Sequence, residues 1–251
     1  YQGRKVTDRI AVNLLIAKSE YDLALLESDG KLIVEREVVR CYDDVCPLDL
    51  VRKNVITEYQ SESSLKDHKE EDLSNYISQI RKFHFHDTGR RSPFTDDSHF
   101  VNAASRMSAH GEHMVAILYR IQREKPMAYR RIIRVIQSVA PYFSDFYFQP
   151  TEADMVRLQW QDKYSSMIYG PTDLSDGTIR FIALTVLFMQ PWLPRVIIID
   201  EPELGLHPVA IEKLSGLIKM AAQKGTQVIV ATQSAELISN FEPEDVLTVN
   251  Q

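Results

Sequence analysis

The chain has 251 residues, 44% hydrophobic and 25% charged, which is enough for one large domain or two small ones with a substantial core. Its 29 basic and 35 acidic side chains leave a net charge of −6, which excludes a surface coated in positive charge but not a local basic patch. No run reaches the roughly 18–20 apolar residues of a membrane span; the longest, Phe181 to Pro194, is broken by Thr185, Gln190 and Pro191.

The opening Tyr-Gln-Gly-Arg-Lys has no secretory pattern. Two cysteines, Cys41 and Cys46, make no disulfide framework, so the expected setting is a reducing cytoplasm. A start at Tyr1 instead of Met leads us to expect a further segment upstream.

Three extended runs come first, Val6–Ile16, Tyr21–Glu27 and Leu32–Arg40, with a Ser28-Asp29-Gly30 turn between the last two. They read as an antiparallel β unit. Residues 58–72 carry six acids, two lysines and three serines, the composition of a solvated linker or an exposed helix start. Tyr76, Ile77 and Ile80 share a helical face, and Phe83-His84-Phe85-His86-Asp87 follows. Val115, Leu118 and Ile121 mark one helix, and Ile132, Ile133, Ile136 and Val139 mark another that Pro126 starts. Phe143–Phe148 and Val156–Gln161 read as paired strands. From Ser175 helices and apolar strands alternate: a helix to Met189, strand Val196–Ile199, a helix from Pro208, strand Val228–Ala231, a short helix Ala235–Phe241 and a last strand Val246–Val249. Strands without polar alternation, separated by helices, indicate a parallel sheet covered on both faces.

Three segments carry chemistry. Val196-Ile-Ile-Ile-Asp200-Glu201 is an apolar strand closed by two acids, at the sheet edge where α/β ligand sites lie. The first acid suits Mg²⁺, which takes few carboxylates, several waters and nucleotide phosphates; the second suits positioning or deprotonating a water. A capped turn is the plain structural alternative. Leu174-Ser175-Asp176-Gly177-Thr178 precedes a helix. Ser175 suits an N-cap, Gly177 leaves space for a ligand, and a helix N-terminus attracts anions. Gln227 to Ser234 is a second buried strand that delivers Thr232, Gln233 and Ser234 at its end.

Together these residues resemble ABC-type ATPase heads, and most closely the RecF-like, AAA_21-type members of the SMC/RecF/ABC superfamily. Leu174 to Gly177 looks like their signature motif and Val196 to Glu201 like their Walker B strand with its catalytic glutamate. Glu203-Leu-Gly205-Leu206-His207 stands at the D-loop and Thr232-Gln233-Ser234 at the switch loop, and Phe85-His86-Asp87-Thr88 also has its counterpart in the family. The resemblance runs from about Tyr76 onward and is most specific over 174–251. It implies an α/β fold: a P-loop ATPase head with a mostly parallel core sheet, an antiparallel β subdomain and a helical lobe. It divides the chain into a β subdomain (1–40), a helical lobe and linker (41–150) and the signature, Walker B and switch half of the core (151–251).

The mechanism it implies sandwiches ATP between two heads. Ser175, Asp176 and Gly177 would meet the nucleotide of the opposite subunit, Asp200 would hold Mg²⁺ through water and Glu201 would polarise the attacking water. Gln233 replaces the switch histidine of many relatives; its neutral amide can hydrogen-bond a phosphate or water but carries no positive charge. No Gly-x-x-x-x-Gly-Lys-Ser/Thr occurs in the sequence, and family order places that Walker A cradle upstream. The implied function is an ATP-hydrolysing head, working as a homodimer or higher oligomer to drive or gate a partner in DNA maintenance, DNA repair or antiviral defence. DNA and an effector nuclease are the candidate partners, and no membrane is involved. The alternative is a slow or non-hydrolysing nucleotide sensor that regulates such an effector.

Two weaker signals remain. Six of the seven histidines lie between His68 and His113, with His84, His86, His110, Glu112 and His113 spaced for a metal or for plain packing. Between Arg120 and Arg134 six basic residues face one acid, Glu124; Arg130, Arg131 and Arg134 form either a solvated helix face or a contact for DNA or an acidic partner. Trp160 and Trp192 read as core or interface fillers.

Overall fold

In the computed structural model the described residues are 9–16, 19–28, 30–41, 71–85, 94, 99–100 and 106–249. The chain divides into two compact units, Tyr1–Gln79 and Ile80–Gln251. This division falls within the 41–150 segment read as helical lobe and linker.

In the first unit, β1 (Arg9–Ile16), β2 (Ser19–Ser28) and β3 (Lys31–Cys41) form an antiparallel sheet in the order β1-β2-β3. Gly30, at φ 73°, makes the β2–β3 turn without the Cβ clash that a side chain would bring. The small core here joins Ile16 and Tyr21 to Leu14, Leu23 and Val39 and to Tyr76 and Ile77 of α1 (Glu71–Ser78). A buried Tyr21 hydroxyl donates to Glu37 Oε1 at 2.6 Å, which satisfies a carboxylate inside the sheet. Arg40 bridges Asp22 and Glu20 across β2 and β3.

In the second unit, β4 (Ile80–Phe83), β10 (Val196–Asp200) and β11 (Gln227–Ala231) form a parallel sheet in the order β11-β10-β4. Ile80 therefore starts a strand instead of extending a helix. Between β4 and β10 lie β5 (His99–Phe100), α2 (Met114–Glu124), α3 (Pro126–Val139), β6 (Phe143–Phe146), β7 (Met155–Val156), β8 (Trp160–Asp162), β9 (Ile168–Tyr169) and α4 (Asp176–Met189). The long helix α5 (Pro208–Gln223) links β10 to β11, and α6 (Ala235–Ile238) follows. α4 is buried around its whole circumference from Ile179 to Phe188, because it packs against α5, α3 and α2. On α3, Ile132, Ile133 and Ile136 face this core while Arg130, Arg131 and Arg134 are exposed.

Three sequence expectations change. The sheet is not covered on both faces at β11, where Gln227, Ile229 and Ala231 are exposed and only Val228 and Val230 pack inward. The expected pairing of 143–148 with 156–161 is borne out where Asp145 and Phe146 of β6 face Gln161 and Trp160 of β8 and Tyr147 N–H donates to the Gln159 carbonyl, but its start differs, because Val156 pairs with His99 of β5. Residues 246–249 form no strand, and Leu247 and Val249 are 92% and 89% exposed. Apolar pattern alone does not make a strand without a neighbour to complete its ladder.

Candidate nucleotide site

The site residues reach one region because two parallel strands end side by side. Asp200 is paired with Ala231 at the last rung of β10 and β11, and the Glu201 N–H extends the ladder by donating to the Ala231 carbonyl at 2.8 Å. There the chain turns sharply: Glu201 has φ 42°, the left-handed region that costs any residue with a Cβ. Buried Pro202 follows, then the loop to His207, which caps α5 through Val209 N–H donating to its Nδ1 at 3.3 Å. Leu204 N–H returns to the Glu201 carbonyl and Leu206 N–H to the Glu203 carbonyl.

Three carboxylates follow one another here. Partial desolvation, then the neighbouring Glu203 and Asp200 charges, raise the Glu201 pKa above its ordinary value of 4.5, while the Gln233 backbone N–H acts in the opposite direction. Glu203 is buried; its Oε1 accepts from Thr232 Oγ1, and its Oε2 has no hydrogen-bond partner among the described residues. Thr232 Oγ1 also accepts from Ser234 N–H at 3.0 Å, and Ser234 caps α6. The Gln233 side chain is exposed.

Ser175 does cap α4: its Oγ accepts from Thr178 N–H at 3.2 Å and lies 2.8 Å from Thr178 Oγ1. Ser175 and Asp176 are exposed. Upstream in the chain, Phe143 stacks on Trp160 at 5.8 Å and Trp160 on Tyr169 at 5.0 Å, and Trp160 Nε1 donates to the Gly170 carbonyl at 2.9 Å. Trp160 is thus a core filler, and Trp192 is covered by the Arg120 guanidinium at 4.0 Å. The space at Gly177, expected to admit a ligand, is taken by the chain itself: a Cβ there would lie 2.5 Å from the Gly205 carbonyl oxygen.

Sequence reasoning passed over Arg180, and it placed Glu203 at the D-loop and Thr232 at the switch loop without their pairing. The signals were a lone arginine in an apolar helix and a third acid close behind Asp200-Glu201. A buried cation in such a run requires hydrogen-bond partners.

Oxygen donors at a strand end fit a Mg²⁺–nucleotide better than a caged metal. Among the described residues no group of three or more His, Cys, Asp or Glu side chains is arranged to hold a metal ion; Mg²⁺ with its waters and phosphates asks for only one or two. His84 and His110 meet edge to face at 6.2 Å, and His86 lies outside the described residues.

A parallel sheet that ends in Asp-Glu, a Ser-capped helix packed on the following loop and a polar strand end beside them make a mixed α/β fold consistent with an ABC-type P-loop ATPase head. The chain belongs to the AAA_21 family, described as AAA domain, putative AbiEii toxin, Type IV TA system, which it matches over residues 52–239. Curated relatives include the energy-coupling factor transporter ATP-binding protein EcfA2 of Latilactobacillus sakei, 35% identical over 32% of this chain and 27% of that protein. The EcfA2 protein of Streptococcus pyogenes serotype M5 is 32% identical over 28% and 25%. The chain thus spans about a quarter of the length of these relatives. Among solved structures, an SMC head bound to the C-terminal winged-helix domain of ScpA aligns at TM-score 0.45 and 14% identity, over 89% of this chain and 69% of that one. The SMC head domain of Thermotoga maritima aligns at 0.35 and 15%, over 92% and 70%. Among the described residues no helix is long and apolar enough to cross a membrane.

Proposed function

We propose that this chain supplies the Walker B, signature and switch elements of an ATP-hydrolysing head that pairs with another head around Mg²⁺-ATP. The observation that carries this reading is Glu201: a glutamate held in left-handed backbone at the end of a buried strand, its pKa raised by its setting, beside Asp200. Strained backbone with a raised carboxyl pKa is costly without a use, and a base for water is the use that the neighbouring Asp200 suggests.

Asp200 would hold Mg²⁺ through water, and the bound ion would neutralise phosphate charge. Glu201 accepts a hydrogen bond from the attacking water and orients it. Gln233, exposed at the end of β11, offers an amide to the γ-phosphate or that water. Ser175, Asp176 and Gly177 present the N-terminus of α4 to the nucleotide of the opposing subunit, and Gly205, Leu206 and His207 line the facing loop. Work on DNA in maintenance or repair, or in antiviral defence beside an effector nuclease, is the setting we favour. The exposed Arg130, Arg131 and Arg134 face supports a polyanion partner. The neutral Gln233 favours a second reading, a slow nucleotide sensor that gates the effector.

Phosphate release by the intact protein tests the proposal. Glu201→Gln is expected to abolish turnover and to preserve ATP-driven association. Release at the wild-type rate would remove Glu201 from the chemistry, and a wild type that binds ATP with negligible turnover would favour the sensor.

A further inference from the structure

The loop carrying Glu201 has little regular structure of its own, and two side chains from different elements fasten it. From α4 comes Arg180, the only ionisable residue between Ile179 and Met189 and 7% exposed. Its Nε donates to the Phe85 carbonyl, just past β4, at 2.8 Å, and its Nη1 donates to the Leu204 carbonyl. From the end of β11 comes Thr232, whose hydroxyl donates to buried Glu203 Oε1. The loop backbone is shaped to receive both. Gly205 sits at φ 74°, where a Cβ would lie 2.8 Å from Arg180 Nη1, and its carbonyl fills the space left by Gly177.

We propose that Arg180 and Glu203 are positioning residues that clamp the loop 201–207 between the signature helix and the β11 end, and so fix the placement of the Glu201 carboxylate. Arg180 joins two backbone carbonyls from separate segments with one planar fork; a lysine ammonium cannot reproduce that geometry. Glu203 joins the loop to Thr232, directly before Gln233, so that one clamp sets both polar groups aimed at the nucleotide. Both clamp residues are buried and act through the groups they hold. The role rests on the hydrolytic reading of Glu201, and the experiment separates the two.

Arg180→Lys, Thr232→Val, Thr232→Ser and Glu201→Gln are compared in the intact protein by backbone hydrogen exchange over 201–207 and by phosphate release across ATP concentrations. Arg180→Lys and Thr232→Val should both speed exchange in the loop. They should lower kcat about tenfold or more while KM stays within about twofold, the mark of misplaced chemistry as opposed to lost binding. Thr232→Ser, which keeps the hydroxyl, should recover both. Unchanged exchange in both variants would overturn the clamp. Faster exchange with wild-type kcat, while Glu201→Gln abolishes turnover, would overturn the positioning role and leave Glu201 in place. A fall in kcat matched by an equal loss of ATP affinity would also overturn it. If the wild type releases no phosphate, the hydrolytic reading fails and the positioning role with it, whatever exchange reports about the loop.

Discussion

Glu201 occupies a conformation that a glutamate does not choose. Its positive φ costs on the order of 1–3 kcal/mol, and its carboxyl is crowded by Glu203 and Asp200. Crowding has a sign. A carboxyl whose folded pKa lies above its unfolded value adds no penalty when both states are protonated. It weakens the fold as pH rises above 4.5 and through the raised value. Glu201→Gln removes the charge and keeps the shape. Its melting temperature should exceed that of the wild type at pH 8, and the difference should shrink toward zero as pH falls below 4.5, as followed by thermal unfolding across a pH series. A difference independent of pH would assign the gain to packing or hydrogen bonding and not to the charge. Such a gain, together with lost turnover, is the trade expected where a site is kept strained for function. At this scale the acids were readable, because two carboxylates ending an apolar strand are conspicuous in any sequence. Arg180 was not, since its meaning lies in carbonyls of Phe85 and Leu204 that sequence distance conceals.

Two helical glycines show how context sets the sign of one substitution. Gly216 on α5 is exposed with nothing within 4 Å of a built Cβ, so Gly216→Ala should stabilise the protein by about 0.5–1 kcal/mol. Gly177 opens α4 against the Gly205 carbonyl at 2.5 Å. Alanine there must push the loop or the helix start aside, so Gly177→Ala should lower both the melting temperature and phosphate release. Chemical denaturation of the two variants side by side checks the contrast; equal effects would mean that the α4–loop contact is slack. The elements from α4 onward were readable because apolar runs, caps and breakers agree: Ser175 caps and Pro208 starts α5 where expected. What failed had a non-local cause. Val156 found its partner in His99, far back in the chain, and 246–249 found no partner strand among the described residues. At β11 the apolar pattern promised two covered faces, but covering depends on what packs there, and Ile229 is 47% exposed.

For the whole molecule the decisive matter is whether the two halves of the site serve one nucleotide or two. Within one subunit α4 and the Glu201 loop are in contact through Gly177, Arg180 and Gly205. Yet Ser175, whose Oγ is paired with Thr178 of its own helix, and Asp176 are exposed at the N-terminus of α4. If Ser175 acts across a dimer, Ser175→Arg should block ATP-dependent pairing and leave nucleotide binding by the separate subunit nearly unchanged. Loss of the cap costs only about 1 kcal/mol, too little to unfold a unit of this size. The test mixes Ser175→Arg with Glu201→Gln. In a mixed dimer under the trans arrangement, both lesions fall on one composite site, and the other site is built from an intact Ser175 and an intact Glu201. Partial recovery of phosphate release on mixing is the expected result, read against each variant alone at the same total concentration. If dimers form on mixing and release stays absent, either Ser175 serves its own subunit or both sites must fire together. A pairing assay on the Ser175→Arg protein alone separates these, because a residue that acts in its own subunit has no reason to block association. Full activity in Ser175→Arg alone would remove the signature role from this helix altogether.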